Sequence, residues 1–414
     1  MAARDVVVVG GGPAGSVTAL LLARAGWHVE LLERREFPRP KPCGDCISAG
    51  ANPILRRIGV WDAVMAARPA RLNGWSLSAG LANSFTSFFQ SSGDDANLSA
   101  AIAIPRARLD AILLAAARSA GVVIRTGVQV VDLAREPSGA VAGVHAQIEG
   151  ELVRIDARLT VGADGLRSCV ARRLAAYQRP PRLRKFSLTA HVRGAPELQR
   201  LGEMHVDGDA CVGIAPVDDT ATPLTNITTV ASSTLIQAQS GGGAHDIMRS
   251  LLRRFPHRDL SGLIRDDTII LACGPFDWPT RAITFDGAAL IGDAAGYYDP
   301  FTGQGIYQAL AGAELLAQHA ADALRQRSLP AHTLAAFATA HQTLLRPARR
   351  IQHAIEYICA RPRLAQAVFA GLRHSPEMAS RLIAVTGDTR PAHDLLSPWL
   401  VTRLVLATSM CALA

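Results

Sequence analysis

Residues 5–33 read DVVVVGGGPAGSVTALLLARAGWHVELLE. The β-branched run Asp5–Val9 predicts a strand that is buried on both faces, and the apolar periodicity of Ala14–Ala25 predicts a helix. Gly26 is placed to end that helix, and Val29–Leu32 is the next short apolar run. The beginning of the chain therefore predicts a β-α-β unit whose first turn is rich in glycine.

That turn has the spacing G-x-G-x-x-G at Gly10, Gly12 and Gly15. Gly10 permits a tight turn, Gly12 allows a pyrophosphate to approach the backbone, and Gly15 lets the helix pack closely on the sheet. The helix N-terminus would offer free N–H groups to the phosphates. Glu33 follows the second strand, where a carboxylate would accept hydrogen bonds from an adenosine ribose. The pattern predicts a dinucleotide site, and it fits NAD as well as FAD.

Composition narrows the class of protein. The chain has 414 residues, of which 49% are hydrophobic and 19% charged, as expected of a compact enzyme. The net charge is +8, but the arginines are spread out and Lys41 and Lys185 are the only lysines, so nucleic acid is not an expected partner. Seven cysteines and no recognisable secretory signal favour a reducing cytoplasm.

Membrane insertion is not predicted. No run approaches the roughly 20 apolar residues that a transmembrane helix needs. The apolar stretch Leu395–Ala414 is interrupted by Pro398 and Arg403. It predicts a C-terminal helix that packs on the body of the protein, with peripheral membrane contact as the less favoured alternative.

Two later segments carry strand-end aspartates. Residues 161–165 read VGADG, residues 290–296 read LIGDAAG, and residues 299–306 read DPFTGQGI. In this order, and together with the glycine-rich turn, they resemble the flavoprotein hydroxylase superfamily of FAD-dependent oxidoreductases. That superfamily includes aromatic hydroxylases, geranylgeranyl reductases and flavin-dependent halogenases. The resemblance covers roughly residues 3–325.

The resemblance implies that the dinucleotide is FAD. Asp293 would accept hydrogen bonds from the ribityl chain, and the helix start at Gly303–Ile306 would face the pyrimidine edge of the flavin ring. Asp164 belongs to a motif that shapes FAD and pyridine-nucleotide binding. Arg106 matches an arginine that contacts FAD, and a solvated helix-start arginine is an equally favoured interpretation. The predicted cofactor-binding residues are Gly10, Gly12, Pro13, Ala14, Gly15, Glu33, Arg34, Cys43, Gly44, Arg106, Val130, Asp164, Gly292, Asp293, Gly303, Gln304, Gly305 and Ile306.

Departures from the aromatic hydroxylases point to the geranylgeranyl reductase and halogenase-like branch. Gly296 and Ile306 stand where those hydroxylases usually have His and Asn, and Cys43-Gly44-Asp45 resembles a segment near the flavin in the reductases. Cys43 and Cys46 also form a C-x-x-C pair. No second pair accompanies it, so a metal site is not expected, and a redox disulfide lacks a thioredoxin-like context.

The sequence favours a monooxygenase that hydroxylates a small organic or aromatic substrate, such as a tryptophan-type or peptide substrate, through a flavin hydroperoxide and O₂. The alternative is reduction of C=C bonds in a geranylgeranyl-type prenyl chain. Halogenation ranks last, because the Trp-x-Trp-x-Ile-Pro signature is absent. A flavin-binding scaffold without redox activity is disfavoured by the intact flavin motifs. NADPH or NADH would dock transiently as electron donor, or a partner would supply electrons.

Pro300, Tyr297 and Cys43 are the candidate catalytic residues. Tyr298 lies beside Tyr297 and is a second candidate for lining the pocket. Candidates for proton chemistry are His191, His205 and Asp207, for each of which a purely structural role is favoured.

The fold class predicted from these patterns is α/β. It comprises a discontinuous Rossmann-type FAD-binding domain (1–75, 100–180 and 285–330) and a mainly antiparallel β-sheet substrate domain (76–99 and 181–284). A C-terminal helical region (331–414) completes the chain.

Overall fold

A computed structural model describes residues 4–80, 83–89, 98–238 and 241–395. Its strands are β1 (Arg4–Val9), β2 (Val29–Leu32), β3 (Cys46–Ile47), β4 (Ala70–Leu72), β5 (Gly74–Ala79), β6 (Asn83–Phe88), β7 (Ala101–Ala103), β8 (Val123–Arg125), β9 (Gln129–Arg135), β10 (Val141–Ile148), β11 (Glu151–Gly162), β12 (Lys185–Val192), β13 (Leu201–Asp207), β14 (Ala210–Pro216), β15 (Thr225–Ser232), β16 (Leu271–Cys273), β17 (Thr284–Phe285) and β18 (Ala288–Leu290). Its helices are α1 (Pro13–Arg24), α2 (Asn52–Arg57), α3 (Trp61–Ala66), α4 (Arg106–Ser119), α5 (Cys169–Arg173), α6 (Ser233–Gln237), α7 (Ala244–Arg253), α8 (Gly305–Ala323), α9 (Ala335–Cys359), α10 (Pro362–Arg373) and α11 (Pro376–Thr386).

The first sheet is built around β1. Its order is β17-β18-β11-β1-β2-β8, with β9 and β10 extending it from β11. β1 pairs in parallel with β11 and β2, so that Val6 lies between Leu159 and Val29. Val6–Val8 are fully buried, which is why the run is apolar throughout rather than alternating. The predicted β-α-β unit is present as β1, α1 and β2.

The glycine-rich turn after β1 has no room for a side chain at two positions. Gly10 has φ +107°, and a Cβ there would lie 2.5 Å from the carbonyl oxygen of Ala163. A Cβ at Gly15 would lie 1.9 Å from the carbonyl oxygen of Gly10. Only glycine fits at either position, so α1 begins directly against the end of β1.

The second sheet has the order β16-β12-β15-β14-β13-β5-β6. Its neighbours are antiparallel except β13 and β5, which run parallel. One face packs on α7, in a core that includes Val212, Ile227 and Met248. The opposite face meets the C-terminal helices through residues such as Leu77 and Phe369. This sheet and the α/β sheet confirm the predicted fold class.

The C-terminal part of the described chain is helical, as α9, α10 and α11. The C-terminal helix predicted over Leu395–Ala414 lies outside the described residues from 396 onward. Among the helices that the structure describes, none combines the length and the apolarity needed to cross a bilayer. The domain limits proposed from the sequence remain predictions, although the strands fall into two large sheets at similar positions.

Candidate active site

Two adjoining cavities form the candidate active site. The first, called the groove below, has a volume of about 410 Å³ and extends from the turn after β1 to the start of α8. Most of the predicted cofactor-binding residues line it, namely Gly10, Gly12, Pro13, Ala14, Glu33, Arg34, Cys43, Gly44, Arg106, Asp164, Gly292, Asp293, Gly303, Gly305 and Ile306. Cys43, Tyr297 and Pro300, the candidate catalytic residues, line the groove as well.

Three predicted cofactor residues do not line the groove. Gly15 packs against the carbonyl of Gly10. Val130 belongs to the core under β9 and β10, so its side chain gives no support to a cofactor contact. The side chain of Gln304 is buried and points to Asp388, as described below. Sequence spacing placed Gln304 beside the site but could not give the direction of its side chain.

Of the three candidates for proton chemistry, one lies beside the groove and two do not. His205 bonds to Ser78 at 2.7 Å, and Asp207 pairs with Arg254; neither is among the residues that line the groove or the adjoining second cavity. His191 instead contacts the carboxylate of Asp45 beside the groove. Only His191 therefore lies where the chemistry of the groove could involve it.

One end of the groove is positively charged and lies at the N-terminus of α1. A Cβ at Gly12 would lie 3.8 Å from Arg39 Nη2 and 3.9 Å from Arg106 Nη2. Arg106 forms a bidentate pair with Asp110 at 2.7 and 2.9 Å. Burial would lower the pKa of Arg106, but Asp110 and Cys43 raise it above its ordinary value. Arg39 pairs with Glu33 and Asp110, each at 3.4 Å, and its buried Nε has no hydrogen-bond partner among the described residues. Two cations and a helix N-terminus suit a bound pyrophosphate.

Glu33 forms part of the wall beside that end. It is 5% exposed, and its two carboxylate oxygens accept hydrogen bonds from the backbone N–H groups of Gly11 at 2.9 Å and Arg35 at 3.0 Å. Arg39 contacts the same carboxylate at 3.4 Å. The backbone thus fixes an acceptor at the end of β2, in the position where the sequence predicts a ribose contact.

A buried hydrogen-bond network holds the loop before β3. Asp45 is fully buried, and its carboxylate accepts hydrogen bonds from the backbone N–H of Arg106 at 3.0 Å and from Asn226 Nδ2 at 2.8 Å. His191 contacts the same carboxylate, and Asn226 Nδ2 also donates to the carbonyl of Cys43 at 2.7 Å. The network joins the loop to α4, β12 and β15. Asn226 was missed from the sequence, where its only signal is a polar residue on an inward face of a strand.

Two neutral thiols lie at this loop. Burial raises the pKa of Cys43 and of Cys46, and the nearby Asp45 carboxylate raises both further. Arg106 lowers the pKa of Cys43 but does not outweigh burial. Within the described ranges no cluster of three or more His, Cys, Asp or Glu side chains is arranged for a metal ion. The C-x-x-C pair therefore places two protonated sulfurs beside the groove.

The other end of the groove is bordered by bare backbone at the start of α8. A Cβ at Gly303 or Gly305 would meet nothing within 4 Å, so both residues face open space. Gly303 has φ +68° and donates its N–H to the carbonyl of Pro300 at 3.0 Å. Only glycine allows a flat ring to approach a backbone this closely. The N–H groups of the first turn of α8 would add their partial positive charge.

The two strand-end aspartates differ in their availability to a ligand. Asp164 caps α5, because its carboxylate accepts hydrogen bonds from the N–H groups of Cys169 at 2.6 Å and Val170 at 3.4 Å. Burial raises the pKa of Asp164. Asp293 also lines the groove, but its carboxylate accepts no hydrogen bond from any residue that the structure describes. Asp293 is thus the freer acceptor for a polar ligand.

The second cavity, called the apolar cavity below, has a volume of about 300 Å³. Its walls are the inward face of the second sheet and the facing sides of α9, α10 and α11. Representative lining residues are Leu77, Met204, Ile355, Phe369 and Met378. The contribution of the C-terminal helices was not predicted, because helical periodicity shows that a face is buried but not what it covers.

The groove and the apolar cavity meet. They share the lining residues Gly44, Cys46, Thr228, Pro300 and Gly303. A flat ring bound at the start of α8 would therefore have the apolar cavity directly beside it. Sites of this kind, an apolar space with a few polar groups at one end, are typical of enzymes that bind small molecules.

A polar cluster lies beside the meeting point. Lys185 Nζ pairs with Glu356 Oε2 at 2.7 Å, with side chains 14% and 17% exposed. Asp299 is buried and accepts a hydrogen bond from the N–H of Phe301 at 2.8 Å. Burial raises the pKa of Asp299 to about 6, although the nearby Lys185 lowers it. Asp299 therefore changes charge close to neutral pH, one residue before Pro300.

The residues of the groove fit FAD. The end with Arg39, Arg106 and the N-terminus of α1 suits a pyrophosphate, and Glu33 suits the adenosine ribose. The free carboxylate of Asp293 suits a ribityl chain, and the open backbone at Gly303 and Gly305 leaves room for a flat ring.

Comparisons with known proteins agree with this fit. A family model described as "FAD binding domain" matches residues 3–229. Conditioned medium factor receptor 1 of Dictyostelium discoideum is 27% identical over 80% of this chain and 66% of its own length. Menaquinone reductase of Mycolicibacterium smegmatis is 29% identical over 76% of this chain and 75% of its own. Digeranylgeranylglycerophospholipid reductase of Methanothrix thermoacetophila is 28% identical over 77% of this chain and 78% of its own.

Among solved structures, the flavin-dependent brominase Bmp2 superposes with a TM-score of 0.77 over 94% of each chain, at 20% sequence identity. At that identity the likeness concerns the fold. It shows that the two chains share a fold over most of their length.

Proposed function

The chain belongs to the FAD-binding domain family, and on that premise we propose that it is an FAD-dependent oxidoreductase that reduces C=C bonds of a long apolar, prenyl-type substrate. The observation that carries the proposal is the junction at which the groove opens into the apolar cavity, at Gly44, Cys46, Thr228, Pro300 and Gly303. The similarity to two reductases over about three quarters of the chain supports it. This ranking reverses the preference for hydroxylation drawn from the sequence.

In this proposal the ADP half of FAD lies between Glu33 and the cationic end near Gly12. Asp293 holds the ribityl chain, and Gly303 and Gly305 border the flavin ring. FAD bound there, and reduced by an external donor, would supply hydride to a substrate carbon. The protein supplies the placement of both groups and a space that excludes water.

The proton that completes the reduction is assigned to Cys46. Its thiol lines both cavities, and burial raises its pKa, so that the sulfur keeps its proton at neutral pH. Hydride added to one carbon of the C=C bond leaves the electron pair on the neighbouring carbon, which is far more basic than a thiolate. Proton transfer from Cys46 Sγ to that neighbouring carbon is therefore downhill even though the thiol is a weak acid. The C–H bond forms as the S–H bond breaks, and solvent then restores the proton on sulfur. Cys43 lines only the groove and ranks second.

The second sheet supports an apolar substrate with one polar end. Strands β12 and β15 present Thr189, Asn226 and Thr228 beside the groove, whereas β13 and β5 present Met204 and Leu77 at the far side. Polarity therefore decreases away from the flavin position. A prenyl chain has this character, because only its reacting or head end carries polar groups.

Anaerobic reoxidation of the reduced flavin tests the proposal. Protein loaded with FAD and reduced by dithionite is mixed with geranylgeraniol in the absence of O₂. The expected result is recovery of the oxidised flavin spectrum and a product that is heavier by two hydrogens for each turnover. Cys46→Ala should slow this reoxidation, and Cys169→Ala, which changes a thiol outside both cavities, should not. Absence of reoxidation with every prenyl substrate would overturn the assignment.

Hydroxylation of the same class of substrate is the second candidate. The observation in its favour is the apolar cavity itself, since monooxygenation also requires water to be kept from the flavin. The two reactions differ in their need for O₂. A product that gains one oxygen atom, and that forms only in air, would establish hydroxylation instead of reduction.

NADPH or NADH remains the predicted electron donor. Its test is bleaching of the bound flavin by each nicotinamide under anaerobic conditions. Bleaching by neither would point to a partner reductase or to a scaffold without redox activity. A cytoplasmic location and peripheral membrane contact likewise stay predictions from the sequence.

A further inference from the structure

One row of residues crosses five strands of the second sheet from the groove to the far side of the apolar cavity. Thr189 of β12 pairs with Thr228 of β15, and Thr228 pairs with Gly213 of β14. Gly213 pairs with Met204 of β13, which pairs with Leu77 of β5. Cross-strand partners share a face, so these five residues lie side by side on one surface.

The row connects the two cavities. Thr189 lines the groove, Thr228 lines both cavities, and Gly213, Met204 and Leu77 line the apolar cavity. Neighbouring strands lie about 4.8 Å apart, so three spacings place Leu77 about 14 Å from Thr228. An extended hydrocarbon chain that lay along this row would have its reacting end at the flavin position and its tail at Leu77.

Gly213 stands in the middle of that path. A Cβ there would meet only the carbonyl oxygen of Thr228 at 3.9 Å and Met204 Cε at 4.0 Å, which are ordinary contacts. Its φ lies outside the positive range, so the backbone does not require glycine. Glycine weakens the interior of a strand, and it often marks a place where another molecule approaches the backbone.

The flanking residues on the same face are also small. Cys211 and Ala215 lie two positions away on either side of Gly213, and both line the apolar cavity. Opposite them, α9 and α10 contribute the larger side chains of Ile355 and Phe369. The side chains that project from the sheet into the cavity are therefore smallest at Gly213, where the hydrocarbon chain must pass between the sheet and the helices.

We propose that Gly213 determines the length of the apolar chain that the protein accepts, by leaving open the path from Thr228 to Leu77. The inference rests on the proposed function for the identity of the occupant. It assigns a specificity-determining position and predicts a length limit, neither of which follows from reduction alone. A larger side chain at residue 213 would divide the cavity into a short part beside the flavin and an isolated far part.

Binding of polyprenyl alcohols of graded length tests the inference without any turnover. Geraniol, farnesol and geranylgeraniol are titrated into the FAD-loaded wild-type protein and into Gly213→Leu, with the spectrum of the oxidised flavin as readout. We expect Gly213→Leu to weaken the binding of geranylgeraniol at least about tenfold more than the binding of geraniol. This is the loss produced when about two methylene groups leave an apolar environment. Gly213→Ala should weaken binding less than Gly213→Leu does, and its loss of affinity should again be largest for geranylgeraniol and smallest for geraniol.

A matched control is available in the same domain. Gly262 is exposed, has no positive φ, and a Cβ there would meet nothing within 4 Å. Gly262→Leu makes the same change away from the cavity and should bind all three alcohols as the wild type does. If Gly213→Leu does not fold, Gly213→Ala and Met204→Phe carry the test. Met204→Phe should weaken the binding of geranylgeraniol most, because it obstructs the path at a point farther from the flavin position.

The outcomes separate this inference from the proposed function. Equal binding of all three alcohols by Gly213→Leu and wild type would overturn it, as would an equal loss for all three. Failure of the wild type to bind any of them would overturn it too. Graded binding without anaerobic flavin reoxidation would instead uphold the length limit and reject reduction as the reaction.

Discussion

Gln304 Nε2 donates a hydrogen bond to Asp388 Oδ1 at 2.6 Å and thereby ties the start of α8 to the residue just beyond α11. Ser48 Oγ donates to the other carboxylate oxygen at 2.7 Å. Gly50 completes the contact by donating its N–H to the carbonyl of Gly387 at 2.9 Å. The Asp388 carboxyl thus joins the helix that borders the flavin position, the segment after β3 and a wall of the apolar cavity.

Asp388 makes stability depend on pH. Burial raises its pKa to about 7, against the two hydrogen bonds that lower it. An unfolded aspartate ionises near pH 4, so folding takes up a proton between about pH 4 and pH 7. The free energy of unfolding should therefore fall as the pH rises through that window. Asp388→Asn should reduce this fall and stabilise the protein at pH 8.

Urea unfolding across that pH range measures the effect. Asp322→Asn removes a carboxyl from an exposed position of α8 and serves as the control, with no change in pH dependence expected. The same pH slope in Asp388→Asn and in the wild type would show that Asp388 is not the titrating group.

The flavin position can be tested through Gly305. A leucine side chain there would project into the open space of the groove, because no described atom lies within 4 Å of the Cβ position. We expect Gly305→Leu to weaken FAD binding at least about tenfold while the far-ultraviolet circular dichroism stays that of the wild type. Gly262→Leu should retain its FAD. Full FAD content in purified Gly305→Leu would contradict a flavin ring at the start of α8.

The Asp45 network gives a prediction about stability. Asn226→Ala removes a donor to the buried Asp45 carboxylate and another to the Cys43 carbonyl, so we expect a loss of about 1–3 kcal/mol in the free energy of unfolding. Asn226→Asp should lower the free energy of unfolding further, since it places a second carboxylate beside that of Asp45. Alkylation followed by mass spectrometry should also show faster modification of Cys43 and Cys46.

Thr228→Val is the comparison for that experiment. It removes a hydroxyl that donates to Asn226 Oδ1 at 2.8 Å, and it leaves in place both donors of Asn226 Nδ2, to Asp45 and to the Cys43 carbonyl. A thiol reactivity in Asn226→Ala no greater than in Thr228→Val would argue that the loop is held by other contacts.

The Lys185–Glu356 pair gives a prediction about charge burial. Lys185→Met leaves the Glu356 carboxylate largely buried without its cation, and we expect a loss of about 3 kcal/mol. It should also raise the pKa of Asp299 above its present value of about 6, because Lys185 lowers that pKa. The double variant Lys185→Met/Glu356→Leu should recover most of the stability. A double variant as unstable as the single one would show that packing, and not the unpaired charge, sets the cost.

How much the sequence could predict depended on how local each interaction is. The turn from Gly10 to Gly15 and the position of Glu33 after β2 lie within one β-α-β unit, whose spacing is fixed by strand and helix geometry. The family resemblance added Asp293 and the start of α8. These predictions needed no knowledge of how distant segments meet.

Residues held by distant partners were harder to foresee. Asn226 reaches the Cys43 loop from a strand far along the chain, and Arg39 meets Asp110 from another element. Neither belongs to a motif, and each is one polar residue among many in the sequence. The part that the C-terminal helices play in the apolar cavity was missed for the same reason, because that cavity exists only where the second sheet faces α9, α10 and α11.

The parallel pairing of β5 with β13 has a consequence for how the chain is made. Leu77 leaves the ribosome long before its neighbour Met204 has been synthesised, and the intervening residues include four of the eight strands of the first sheet, β8 to β11. The two sheets therefore cannot mature one after the other, and pairings so distant in sequence slow folding. A chain truncated before β12 would expose the apolar face of β5 and β6. We expect such a fragment to aggregate rather than persist as an independent cofactor-binding unit.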